Sequence, residues 1–100
     1  MTRYRPATKI VLKILECIDR NQSRGRAIKT HIIQCSNLKA ASADRYLDML
    51  RDAGYILERQ EQWGERQITA YELTPLGRER YEWFRKINAE LFEQSGWGDE

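Results

Sequence analysis

The sequence predicts a mainly α chain that carries a small β-hairpin, an α+β domain, and three observations support this. Apolar residues recur at helical spacing over four separate stretches, the period changes to that of strands between Tyr55 and Leu73, and Pro or Gly stands where several elements begin or end. The 100 residues have room for one compact domain, and 41% apolar residues suffice to close a modest core without a metal or a disulfide framework.

Pro6 ends a basic arm at residues 1–6, and Ile10, Val11, Ile14, Leu15 and Ile18 then predict a first helix over about 7–21 with one buried face. Asn21 to Gly25 is polar and reads as a turn; Ile28, Ile32 and Ile33 predict a second helix over about 27–35. After the short break Ser36-Asn37-Leu38, residues Ala43, Tyr46, Leu47 and Leu50 line one side of a third helix, about 40–53, and Gly54 stops it. The hairpin follows over 55–73, with strands Tyr55 to Gln60 and Gln67 to Leu73 joined by a polar tip from Glu61 to Arg66. Thr74-Pro75 is a helix start, and a last helix over 75–94 carries Tyr81, Phe84, Ile87 and Leu91 on one stripe. Residues 95–100 form a tail expected to fray.

Helix, helix, tight turn, helix, β-hairpin is the order of the winged helix-turn-helix, here over 7–74, in which the third helix enters the major groove of DNA and the hairpin lies over the backbone or minor groove. The stretch Thr30 to Leu38, then Tyr46-Leu47-Asp48-Met49-Leu50, Gly54-Tyr55-Ile56 and Tyr71-Glu72-Leu73-Thr74-Pro75-Leu76-Gly77 resembles the small archaeal winged-helix DNA-binding proteins of about ten kilodaltons. The Tyr-x-Leu-Thr-x-x-Gly run is shared more widely among prokaryotic winged-helix regulators. The resemblance implies double-stranded DNA as the partner and a homodimer in which the last helix pairs with that of a second copy. Lys39 stands where a serine cap is expected, which leaves the start of the third helix open, and the last helix is too short for a long coiled coil.

On the third helix Lys39, Ser42 and Arg45 face outward, with Arg45 and Ser42 the foremost candidates for base-edge or phosphate contact; the competing reading is a solvated face that also carries Asp44, Asp48 and Asp52. Arg24, Arg26 and Lys29 lie around the start of the second helix, where such proteins meet phosphates, or else form a merely solvated turn. In the wing, Arg59, Trp63 and Arg66 are candidates for the minor groove, although an exposed tryptophan suits a protein partner equally. Arg3, Tyr4 and Arg5 resemble a minor-groove arm in composition alone. Tyr81, Phe84, Ile87 and Leu91 are the expected dimer interface, against the alternative that the helix packs only within its own domain.

Charge supports the same direction. Residues 1–60 hold 12 Lys or Arg against 6 Asp or Glu, whereas residues 61–100 hold 5 against 9, so the basic half is the one suited to a polyanion. No apolar run is long enough for a membrane span or a signal peptide, and the expected location is cytoplasmic and nucleoid-associated. Cys17 and Cys35 fit a reduced compartment and read first as packing residues. His31 and Cys35 share a helix face that Cys17 could approach, but a three-ligand set is incomplete, so no metal and no cofactor are expected. A disulfide switch would need the two α-carbons within about 7 Å. The single histidine, the lack of a Gly-rich phosphate loop and the scattered carboxylates argue against an enzyme.

The reading is therefore a DNA-binding regulator or chromatin-associated protein. Its alternative is a winged-helix protein interaction module that uses Trp63 and the aromatic last helix. No separate ligand domain follows the last helix, so a small-molecule effector, of unknown class, would sit at the dimer interface or act through the cysteines.

Overall fold

The apolar spacing at the start of the chain builds helix α1 (Ala7–Ser23), which buries Val11, Ile14, Leu15, Cys17 and Ile18 on one face. The computed structural model describes residues 7–93, with side chains through residue 91; the expected arm at 1–6 and tail at 95–100 lie outside the described residues. α1 continues past residue 21 because polar side chains that read as a turn bond back to the helix: Asn21 Nδ2 donates to the Cys17 carbonyl at 2.8 Å and Ser23 Oγ to the Asp19 carbonyl at 2.9 Å.

Ala27 and Ile28 are a short strand, β1, and not the first residues of the second helix. Ala27 pairs with Tyr71 and Ile28 with Ala70. A two-residue strand has no period of its own, and its partner lies far along the chain, so local spacing assigns these residues to the helix that follows. Helix α2 (Lys29–Ser36) ends at Asn37, whose left-handed backbone (φ 59°) turns the N–H back onto the Ile33 and Gln34 carbonyls at 3.1 and 3.3 Å. Asparagine tolerates this conformation, and it sets the tight turn into helix α3 (Ala40–Asp52).

Lys39 supplies no side-chain cap, yet α3 still starts at Ala40, because the extended Lys39 backbone presents its carbonyl to the Ala43 N–H at 2.9 Å. α3 buries Ala43, Leu47 and Leu50. Its end is closed by two backbone bonds, Tyr55 N–H to the Leu50 carbonyl at 2.9 Å and Gly54 N–H to the Arg51 carbonyl at 3.0 Å, with Gly54 at φ 85°. This pattern places glycine where the chain must turn left-handed.

Strands β2 (Ile56–Trp63) and β3 (Arg66–Leu73) form an antiparallel hairpin, and β1 adds to the far side of β3, giving the order β1-β3-β2. The hairpin is longer than its alternating pattern predicts. Pairing runs to Trp63 opposite Arg66, so Glu61 to Trp63 belong to β2 and the tip is only Gly64-Glu65. Gly64, at φ 64°, takes the first turn position, where a two-residue hairpin needs a residue free of a β-carbon.

Helix α4 (Pro75–Asn88) begins at Thr74, whose hydroxyl oxygen accepts from the Gly77 N–H at 2.9 Å, and it passes into a π-helical turn, Ala89–Glu93. α1 lies against α2, α4 and the sheet, and one apolar cluster joins Ile14, Leu15 and Ile18 of α1 with Ile32, Leu47, Leu50, Ile56, Tyr71, Leu73 and Tyr81.

Candidate functional site

Three inward side chains, Ala43, Leu47 and Leu50, fix the rotation of α3 about its axis and thereby turn Lys39, Ala41, Arg45 and Asp48 to solvent, with Ser42 half-buried. Lys39 and Arg45 form no ion pair among the described residues. The aspartates on the same helix are occupied. Asp44 Oδ1 meets Lys29 Nζ at 2.5 Å, while Asp48 and Asp52 lie 3.4 and 3.3 Å from the Arg51 guanidinium. Arg51 also reaches Glu58 of β2 at 2.8 Å; bonding to Glu58, then to Asp52, holds its pKa above the usual arginine value.

The basic turn that the sequence presents as one group, Arg24, Arg26 and Lys29, is divided three ways. Arg24 stays between α1 and α2, at a pocket it lines with Arg20, Asn21, His31, Gln34 and Cys35. Arg26 swings to the wing, where it pairs with Glu61 at 2.5 Å and lies 6.0 Å from the centre of the Trp63 ring. Lys29 reaches forward to Asp44 on α3. β1 stands between them: Ala27 and Ile28 pair with β3, which sets Arg26 beside the sheet and Lys29 at the start of α2.

In the wing, Arg59 is held by Glu72 at 2.7 Å, so this candidate faces a carboxylate of the same chain. Trp63 is 44% exposed, and Arg66 forms no ion pair among the described residues. The outcome is a division among the cations. Among the described residues, Arg26, Lys29, Arg51 and Arg59 are neutralised by acids, whereas Lys39 at the start of α3, Arg45 on it, Arg66 at the wing tip and Arg24 behind α2 are not. Which cation each of Asp44, Glu58, Glu61 and Glu72 neutralises is not legible in the sequence; apart from the strand register, nothing local announces which carboxylate a long cation will reach.

On α4 the expected interface residues divide as well. Tyr81 is only 9% exposed and packs in the core of its own chain, with burial pushing its phenol pKa up. Phe84 packs partly against the same core, Ile87 is half-buried and Leu91 is exposed. Trp83, which projects from the outer side at 53% exposure, meets Phe84 edge-on with ring centres 5.3 Å apart.

The cysteines are not separate packing residues. Cys17 and Cys35 have α-carbons 5.9 Å apart and form a disulfide between α1 and α2. Helix packing brings them together across 18 residues of chain, which no spacing rule foretells. Both sulfurs are thereby engaged, and no group of three metal-ligating side chains occurs among the described residues. No helix among these residues is long and apolar enough to cross a membrane.

A family model described as winged helix-turn-helix matches residues 4–91. Among solved structures the chain is similar to Sso10a-2, a DNA-binding protein from Sulfolobus solfataricus, at 26% identity over 92% of this chain and 90% of that one, with a TM-score of 0.64. It is also similar to the transcriptional regulator BldR from the same organism (16% identity, TM-score 0.72, 86% of this chain and 58% of that one). Similarity to smu.1704 from Streptococcus mutans spans 99% of both chains at 19% identity and a TM-score of 0.67. At the identities of the last two, the likeness shows the fold alone. No curated protein sequence matches the chain.

Proposed function

Because the chain belongs to the winged helix-turn-helix family, we propose that it is a regulator or chromatin-associated protein that binds double-stranded DNA through α3 and the wing and performs no catalysis. The observation that carries this reading is the division among the cations. Lys39 at the start of the recognition helix, Arg45 on it and Arg66 at the wing tip meet no carboxylate among the described residues, which leaves their charge for phosphates or base edges. The DNA-binding description of Sso10a-2, a relative matched over 90% of its length, supports the same partner. The working location that follows is the cytoplasm, on the nucleoid.

Homodimerisation through α4 is part of the proposal. Trp83 and Leu76 remain exposed on this helix, and the pairs Glu79–Arg80 and Glu82–Arg85 leave little net charge beside them to repel a second copy. Sedimentation equilibrium checks it: Trp83→Glu should yield a monomer where the parent chain is a dimer.

Fluorescence anisotropy with a mixed-sequence duplex at several salt concentrations tests the DNA reading. Binding should weaken linearly in log affinity against log salt, and Arg45→Ala with Arg66→Ala should remove most of the affinity. Unchanged binding by the double variant would reject the residue assignment. No binding at low salt would reject the non-specific DNA reading and favour the interaction module.

A further inference from the structure

The disulfide joins two cysteines in unlike surroundings. Cys17 is fully buried in the core, whereas Cys35 is half-buried and forms part of the wall of an open pocket of about 360 Å³ between α1 and α2. The other walls are Arg20, Asn21, Arg24, His31 and Gln34. Arg20 Nη1 lies 4.0 Å from Cys35 Sγ, and its other terminal nitrogen holds Glu16 at 3.2 Å, so the guanidinium is braced beside the sulfur. Arg24 has no acidic partner among the described residues. Opening the bond would leave the Cys35 sulfur at a solvent-reachable wall beside the Arg20 guanidinium, which also holds Glu16, in a pocket that Arg24 and His31 line as well. These surroundings favour a thiolate, and the thiolate is the nucleophilic form of cysteine.

We propose that Cys35 is a redox-reactive thiol that takes a small hydroperoxide in this pocket, with Cys17 as its resolving partner. The Cys35 thiolate attacks the terminal oxygen of the hydroperoxide, the O–O bond breaks, and the alkoxide or hydroxide leaves and takes a proton; Cys35 becomes a sulfenic acid. The Cys17 sulfur then attacks the Cys35 sulfur, the S–S bond forms, and the sulfenic hydroxyl departs as water with the Cys17 proton. Overall, two thiols and one hydroperoxide give one disulfide, one alcohol or water, and one further water. In the bonded state the α-carbons stand 5.9 Å apart, within the span a disulfide takes. A dithiol reductant reverses the change by attacking the accessible Cys35 sulfur, with Cys17 as the first leaving group. The bond ties α1 to α2, the helix whose Asn37 turn launches α3, so the redox state acts on the helix pair that positions α3.

This chemistry is independent of the DNA reading and is tested without DNA. Fully reduced Cys17→Ser and Cys35→Ser chains are treated with hydrogen peroxide in the presence of dimedone and mapped by mass spectrometry. A dimedone adduct is expected on Cys35 of the first variant and none on Cys17 of the second, while the parent chain closes its intramolecular disulfide. In the reduced parent chain, Cys35 should be alkylated by iodoacetamide before Cys17, with a pH midpoint below the ordinary cysteine value of about 8.5. Arg20→Gln should slow that reaction about tenfold near neutral pH through the loss of thiolate, with the circular dichroism spectrum unchanged. No adduct on Cys35, equal reaction at Cys17, or a midpoint at the ordinary value would overturn the proposal. The alkylation order in the parent chain keeps the test valid where a serine variant fails to fold.

Discussion

A β-carbon placed on Gly77 would lie 1.8 Å from the carbonyl oxygen of Tyr55, and 2.8 Å from the carbon that bears it. The start of α4 therefore rests directly on the backbone that leaves α3. Thr74 completes the joint: its hydroxyl lies 2.6 Å from the Gly54 carbonyl, its N–H donates to the Tyr55 carbonyl at 3.0 Å, and its side chain caps Gly77. Gly77→Ala would gain helix propensity of about 1 kcal/mol but must displace α4 from this backbone, a clash of the overpacking kind that costs about 1–3 kcal/mol or more. A net loss of stability in urea unfolding is expected; a gain would mean that α4 slides freely on the Tyr55 turn.

Lys29 and Asp44 form a pair that withholds one cation from the proposed DNA face. Asp44→Asn removes the acid and releases Lys29 in a single step. Duplex affinity should rise, and the slope of log affinity against log salt should steepen by about one unit per subunit. Anisotropy titrations of parent and variant at matched salt concentrations decide it. An unchanged slope would place Lys29 and Asp44 away from the phosphates.

Opening the Cys17–Cys35 bond restores the freedom of the chain between cysteines 18 residues apart. In the chain-entropy account this costs about 3 kcal/mol, or a fall in Tm of roughly 12–24 °C for a domain of this size. Thermal unfolding with and without a phosphine reductant measures it. A fall of only a degree or two would show that residual contacts already restrict the reduced, unfolded chain.

Tyr71 is 4% exposed, and its phenol pKa is raised, first by burial and then by the nearby charges of Glu58, Asp44 and Asp48. The folded state thus retains a proton that the unfolded chain releases near pH 10. Its contribution to stability is fully present below that pH and is lost as pH climbs above it. Tyr81, raised by burial as well, acts in the same sense. Unfolding free energy should decline above about pH 10, and Tyr71→Phe should flatten that decline in denaturant titrations followed at pH 8 to 11. An equally steep decline in the variant would assign the effect to other groups.

The elements legible in the sequence were those whose signal is local. Ile14, Leu15 and Ile18 repeat on one helical face, Gly54 ends α3 by a backbone conformation few other residues adopt, and Thr74-Pro75 opens α4 with a cap and a fixed φ. Each states its structure within one or two turns of chain. The short strand Ala27–Ile28 and the full reach of the wing to Trp63 were not legible, since a ladder partner distant in sequence defines the first and a two-residue turn defines the second.

For the candidate site the division is similar. Residue type and helical position alone sufficed to turn Lys39 and Arg45 to the outside of α3, because Ala43, Leu47 and Leu50 must face the core. Which cations keep a free charge was decided only in three dimensions, where Asp44, Glu61 and Glu72 reach Lys29, Arg26 and Arg59. The same holds for Cys17 and Cys35, and for Tyr81, which spends its apolar surface in its own core. Patterns within one element reflect the periodicity of the backbone, which sequence carries directly. Pairings between elements depend on how helices and strands pack, and that geometry exists only once the chain has closed around its core.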